Sequence, residues 1–226
     1  SITLWHFSTS SMPELAQNFR RLQQALSDSA VRSGHAVQLL AVSKGQPIQR
    51  IAACAALGQK AFGENYLQEA LQKIAALRSL ALEWHMIGPL QSNKCQAAAK
   101  HFDWVQSVDR EKIIKILDQN RPESLLPLNV LIQVNIDAEP GKSGCAPADA
   151  MTLAQHVIGS RKLRLRGLMA IPDPATSADG NAFARMQQLF ERLREIHPAA
   201  DTLSMGMSDD YPAAIAHGAN LIRIGS

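Results

Sequence analysis

Cysteine is scarce in this sequence. There are three, Cys54, Cys95 and Cys145, an odd number with no CxxC pair. That pattern excludes a disulfide framework and a thiolate zinc site, and a reducing compartment is its natural setting. Cys54 and Cys95 fall in Ala-rich helical stretches, where a buried free thiol is expected. No His, Asp or Glu spacing suggests metal ligands, so no metal is expected. No apolar run approaches the ~20 residues that a membrane span needs. Residues 1–11 lack a charged region followed by an apolar one, so no signal peptide is read and a cytoplasmic protein is expected. They are taken as a poorly ordered extension before a single domain, 12–226. Charge of one sign is missing too: 23 Lys and Arg face 20 Asp and Glu, for a net +3. No dense basic run interleaves with aromatics, so nucleic acid is not an expected partner. The basic segment Arg161, Lys162, Arg164 and Arg166 reads as a solvated strand entrance.

What is present is an alternation. Of the 226 residues, 46% are hydrophobic, enough for a substantial core. Short apolar runs at 37–42, 60–62, 83–87, 104–108, 128–134, 163–171, 202–205 and 220–224 are separated by helix-length segments. Helix-length crossovers require parallel pairing, and near-continuous apolar strands suit a sheet buried on both faces. Pro47 opens the first crossover helix and Gly58 stops it. Ser92 and Asp109 are expected to cap later helices. The eighth run has no helix after it; an amphipathic helix from residue 12 to about 33, with Leu15, Phe19, Leu22 and Leu26 on one face, can supply that packing surface. The expected fold is a single (β/α)8 barrel with an N-terminal helix packed on it. An open doubly wound sheet is the structural alternative.

In such a barrel, functional groups gather where strands end. Those positions hold Lys44, Glu64, Asn65, His85, Asp109, Asn135, Met169, Ser204, Ser208, Arg223, Gly225 and Ser226. Lys44 is the one lysine among them. It is either a solvated lysine after an apolar strand or an amine that attacks an aldehyde, eased by an apolar wall that favours its neutral form. The turns Ser204-Met205-Gly206-Met207-Ser208 and Gly225-Ser226 follow the seventh and eighth strands, where barrels often hold a phosphate. Arg223 is read either as a structural ion pair with Asp209 or Asp210, or as a permanently charged donor to a ligand nitrogen. His85, between Trp84 and Met86, reads as a satisfied core histidine. Asn65 is either a helix start or a hydrogen-bonding group.

Taken together, LLAVSKGQP around Lys44, FGENYLQE from Phe62, WHMIGPLQSNK from Trp84, LNVLIQVN from Leu128, LRGLMAIP from Leu165, TLSMGMSDD from Thr202 and the closing IRIGS resemble the pyridoxal phosphate homeostasis protein family, relatives of the alanine racemase barrel domain. The resemblance runs from the first strand to the end and implies pyridoxal 5'-phosphate as cofactor. It implies a Schiff base on Lys44, with Arg223 at the pyridine nitrogen and Asn65 and Met86 near the ring. Ser204, Gly225 and Ser226 match its phosphate-binding turns, with Ser226 where the family usually has threonine. The implied function is holding, buffering or delivering the cofactor, with PLP-dependent apo-enzymes as partners and no catalytic residue assigned. Racemase-like catalysis is the runner-up: a racemase uses a tyrosine opposite the lysine, and only Tyr66 and Tyr211 are available. A PLP-dependent regulatory module is the third reading. A monomer is expected, since no apolar stripe is evident.

Overall fold

The computed structural model describes residues 1–6 and 12–225. Eight parallel strands close into a barrel in sequence order: β1 (Gln38–Val42), β2 (Ala61–Glu64), β3 (Glu83–Met86), β4 (Trp104–Val108), β5 (Leu128–Gln133), β6 (Leu163–Met169), β7 (Thr202–Ser204) and β8 (Leu221–Ile224). Closure is made by β1 on β8, with Leu40 level with Arg223 and Ala41 level with Ile224. The open-sheet alternative is thereby excluded. The crossovers carry α2 (Ile48–Ala56), α3 (Leu67–Ala76), α4 (Cys95–His101), α5 (Glu111–Asn120), α6 (Ala150–Ile158), α7 (Pro174–Ser177), α8 (Asn181–Ile196) and α9 (Tyr211–Ala216). The sequence pattern had not separated the short α7 from its loop. Asp173 caps it by accepting from Ala175 N at 2.9 Å.

The N-terminal helix α1 (Met12–Ser33) precedes β1 and packs against α2 and α9. Leu15, Phe19, Leu22 and Leu26 are all buried, so one stripe at helical spacing covers the seam beside β1. Two expected caps are corrected. Ser92 opens a single 3₁₀ turn before α4 and makes no side-chain cap. Asp109 does not cap α5; its carboxylate accepts from Gly144 N at 3.0 Å across the mouth, and Arg110 stands at the cap position. A carboxylate can serve a neighbouring loop as readily as its own helix, and sequence spacing does not distinguish them.

The main apolar core lies between strands and helices. Inside the barrel the apolar contacts are small: Leu40, Ile87 and Leu221 form one cluster, and Trp104, Leu131 and Met169 another. Between them runs a line of polar side chains. The inward face therefore has polar work to do, and it leads to the barrel's carboxyl-end mouth.

Within residues 1–6, Ser1 and His6 are exposed, and the middle of the segment rests on the barrel. Leu4 and Trp5 are buried. Leu4 N donates to Gly225 O at 2.9 Å, and Trp5 Nε1 donates to Val42 O at 2.6 Å. Two large apolar side chains beside a strand end provide burial that outweighs the entropy of ordering so short a segment.

Candidate functional site

Two hollows open along the barrel axis. At the amino-end mouth a cavity of about 200 Å³ is lined by Gln38, Glu83, His85, Trp104, Arg166 and Asp201. Its charges are mutually satisfied. Arg166 makes two 2.9 Å bonds to Asp201 and stacks over Trp104 at 4.4 Å. At the carboxyl-end mouth lies a cavity of about 650 Å³, whose walls include Asn65, Ile87, Gln133, Gly206, Ser208 and Arg223. Its polar groups are less completely partnered, and it is the candidate site.

Arg223 enters from β8 and is 3% exposed. No carboxylate lies within ion-pair distance of it among the described residues. The reading as an ion pair with Asp209 or Asp210 is thus not realised; Asp210 instead accepts from Met207 N at 2.7 Å. Desolvation pulls the guanidinium down to about 10, against the attraction of Asp210, so it is charged at neutral pH. Its NH1 donates to Ser204 Oγ at 2.7 Å and its NH2 to Ala170 O at 2.9 Å. A buried cation held by neutral acceptors at a cavity wall remains able to meet a ligand acceptor.

Beneath Arg223 the polar line continues. Ser204 Oγ donates to Gln106 Oε1 at 2.7 Å, and Gln106 Nε2 lies 2.8 Å from His85 Nδ1. The other ring nitrogen, His85 Nε2, lies 2.7 Å from Glu83 Oε1. His85 also stacks on Trp104, with centroids 4.8 Å apart. It is a satisfied interior histidine, as its apolar neighbours suggested. Burial lowers its pKa, more than the Glu83 contact raises it.

Asn65 follows β2 and faces the cavity. Its Oδ1 is buried without a hydrogen-bond partner among the described residues. Gly88 fixes its backbone: a Cβ there would stand 2.1 Å from Asn65 O. Only a glycine lets the β3 loop lie against the residue that presents this amide.

Lys44 is the second residue beyond β1. Ser43 N extends the ladder to Gly63 O at 2.9 Å, and Lys44 emerges exposed at the rim. Its amine has no ion-pair partner among the described residues. Gly225 is buried at the end of β8, where a Cβ would meet Val42 O at 2.9 Å. Residues 2–4 bridge the two turns at this side of the mouth, with Ile2 N on Ser208 O at 3.3 Å and Thr3 Oγ1 on Gly225 O at 3.0 Å.

Of the expected site residues, Asn65 and Arg223 line the cavity, whereas Lys44 and Gly225, at the ends of β1 and β8, are not among its lining residues, and Ser204 and Met86 lie elsewhere. Ser204 is fully buried below the cavity wall, and both roles of its hydroxyl are taken by Arg223 and Gln106. It sits in β7 itself, whereas Ser208 lies in the loop beyond and lines the cavity. Met86 is 1% exposed and faces the helix layer; strand alternation turns Ile87 to the cavity instead. Ser226 lies outside the described residues. Gln106, which links Ser204 to His85, and Gln133, on the cavity wall, were missed, although a glutamine inside an apolar strand run was the available signal.

The comparisons place this architecture among known proteins. Residues 11–226 match the family model for the alanine racemase N-terminal domain. The chain is 48% identical to the pyridoxal phosphate homeostasis protein of Haemophilus influenzae, over 94% of this chain and 93% of that protein. It is 49% identical to the protein of the same name from Pseudomonas aeruginosa, over 95% and 94%. Among solved structures, PipY of Synechococcus elongatus PCC7942, determined with PLP bound, superposes with a TM-score of 0.81 at 38% identity, covering 93% of this chain and 97% of that one. The chain therefore belongs to the pyridoxal phosphate homeostasis protein family, built on the alanine racemase N-terminal barrel.

Proposed function

We propose that this protein binds pyridoxal 5'-phosphate at the carboxyl-end mouth and holds it covalently on Lys44, as a reservoir or carrier in cofactor homeostasis. The observation that carries this reading is the pairing, on one cavity, of a buried arginine without an ion-pair partner and an asparagine oxygen without a hydrogen-bond partner. A cavity of about 650 Å³ suits a small aromatic ligand with room beside it. When bound, this group supplies an aldehyde for covalent attachment and a ring that withdraws electrons. Lys44 supplies the amine. Arg223 donates toward the ring nitrogen and, being charged, keeps that nitrogen unprotonated, which favours holding over carbanion chemistry. The loop hydroxyl and N–H of Ser208 have no acceptor among the described residues, and with the Gly225 turn they form the phosphate side. Ser208 takes the role first assigned to Ser204.

The wall also bears on turnover. A second acid/base opposite the lysine is needed for racemisation. The tyrosine that a racemase sets opposite its lysine is not on this wall: Tyr66 is 62% exposed at the start of α3, Tyr211 begins α9, and the ionisable groups that do line the cavity are Glu139, Lys142, Asp173, Asp209, Asp210 and Arg223. This supports a carrier over a racemase. Purified protein should carry a visible absorbance band and, after borohydride, a stable mass adduct on Lys44 that Lys44→Ala abolishes. An adduct persisting at full yield in Lys44→Ala would overturn the assignment. Exchange of an amino acid's α-hydrogen at catalytic rates would overturn the carrier reading.

A further inference from the structure

The turn that carries Lys44 is held from both sides by charged residues that face away from the cavity. Glu64, the last residue of β2, is 0% exposed, and Lys73 of α3 is 5% exposed. Lys73 Nζ donates to Ser43 O at 2.7 Å, to Glu64 Oε1 at 2.9 Å and to Glu69 Oε1 at 2.7 Å. The Ser43 hydroxyl donates to Glu64 Oε2. On the far side of Lys44, Gly45 N donates to Glu69 Oε1 at 2.5 Å. Ser43 and Gly45, the two neighbours of Lys44, are thus both anchored to one cluster, while Lys44 makes no ion pair among the described residues.

Burying the Glu64 carboxylate and the Lys73 ammonium, with Glu69 still 32% exposed, incurs a desolvation cost that apolar side chains of similar size would avoid. The cluster is therefore a poor device for stability alone. It has two consequences for Lys44. It fixes the backbone on each side of the residue, at a point where Gly45 takes φ +72° and the chain leaves the strand. It also engages the two nearby carboxylates with Lys73. A carboxylate paired with Lys44 would favour the ammonium and suppress the free amine.

We infer that Glu64, Glu69 and Lys73 are positioning residues that aim the Lys44 amine and keep it free of counter-ions. This rests on the reading of Lys44 as the covalent attachment point. The three touch neither the cavity wall nor the amine, and act through Ser43 and Gly45.

The test uses the full chain and two readouts, one independent of the ligand. Amide hydrogen exchange at Gly45 is followed in ligand-free protein, and the rate of attachment of added pyridoxal phosphate is followed by borohydride trapping. Glu69→Ala should speed Gly45 exchange and slow attachment, each by about tenfold, the value of one charge-assisted hydrogen bond. Glu69→Gln retains an acceptor oxygen and should largely restore Gly45 protection. Lys73→Met releases both carboxylates and should move the pH midpoint of attachment upward, a shift that a merely structural role would not cause. If Glu69→Ala fails to fold, Ser43→Ala, which removes the hydroxyl contact to Glu64, carries the same rate comparison. Parental attachment rate and pH midpoint in these variants, with trapping still at Lys44, would overturn the positioning role alone. Trapping that survives Lys44→Ala would instead overturn the attachment reading beneath it.

Discussion

Arg223 and Ser204 meet end to end inside the barrel: the guanidinium NH1 donates to the serine hydroxyl at 2.7 Å. That hydroxyl then donates to Gln106, so Ser204 props the arginine and has no hydrogen left for an anion. The contact separates two serines that the sequence had placed in one phosphate-binding turn.

A pair of variants tests that separation. Ser208→Ala should leave thermal stability unchanged but weaken retention of pyridoxal phosphate about tenfold, with little effect on unphosphorylated pyridoxal. Ser204→Ala should behave oppositely. It leaves Arg223 NH1 and Gln106 short of a buried partner, lowering stability by about 2 kcal/mol, while preference for the phosphorylated ligand persists. Equilibrium dialysis with both ligands and urea midpoints distinguish the two.

Arg223→Gln should retain covalent attachment at Lys44, because the amine and the turn that carries it are untouched. The absorbance band should shift and the ligand should dissociate about tenfold faster, through loss of a charged hydrogen bond. An unchanged band and an unchanged dissociation rate would remove Arg223 from the ligand's ring.

The buried histidine makes stability pH-dependent. Desolvation holds His85 below its ordinary 6.5, with Glu83 and Asp103 opposing the shift and Arg166 adding to it. In that window the unfolded chain binds more protons than the folded one, so stability rises with pH and is lost as pH falls. The parent's melting temperature should drop between about pH 7.5 and about pH 5.5, and His85→Gln should show a smaller drop. Equal slopes in the two proteins would mean that this imidazole does not carry the dependence.

Trp5 ties the N-terminal segment to the rim of β1, through burial and a 2.6 Å bond to Val42 O. Trp5→Ala should cost about 3 kcal/mol at most, because a terminal segment can peel away once its anchor is gone. Chemical denaturation measures the loss, and ligand release should quicken because Thr3 and Leu4 bind Gly225 beside the same mouth. A variant with parental midpoint and release rate would show that the segment adds nothing to either.

The parts of the molecule that were readable in the sequence are those that obey local periodicity. The strand over 104–108 matches its apolar run, and the stripe of Leu15, Phe19, Leu22 and Leu26 is buried as its spacing required. Lys44, Asn65, Arg223 and Gly225 were singled out as candidates because strand ends in a parallel barrel converge. For Met86, named on the family resemblance, the structure decides the facing: it lies in the helix-side core while Ile87 lines the cavity, since alternation reverses the face at each residue.

The amino-acid sequence by itself determined the main strands and helices, their parallel pairing and the strand ends at which chemistry is possible, because these follow from apolar period, crossover length and turn residues; closure of the sheet was decided by the pairing of β1 with β8. Only the tertiary structure decided which polar groups are already consumed. Ser204 is taken by Arg223 and Gln106, Asp109 by Gly144, and Glu64 and Glu69 by Lys73. Hydrogen bonds and ion pairs between residues distant in the chain depend on where strands stand around the barrel, and no local pattern encodes that.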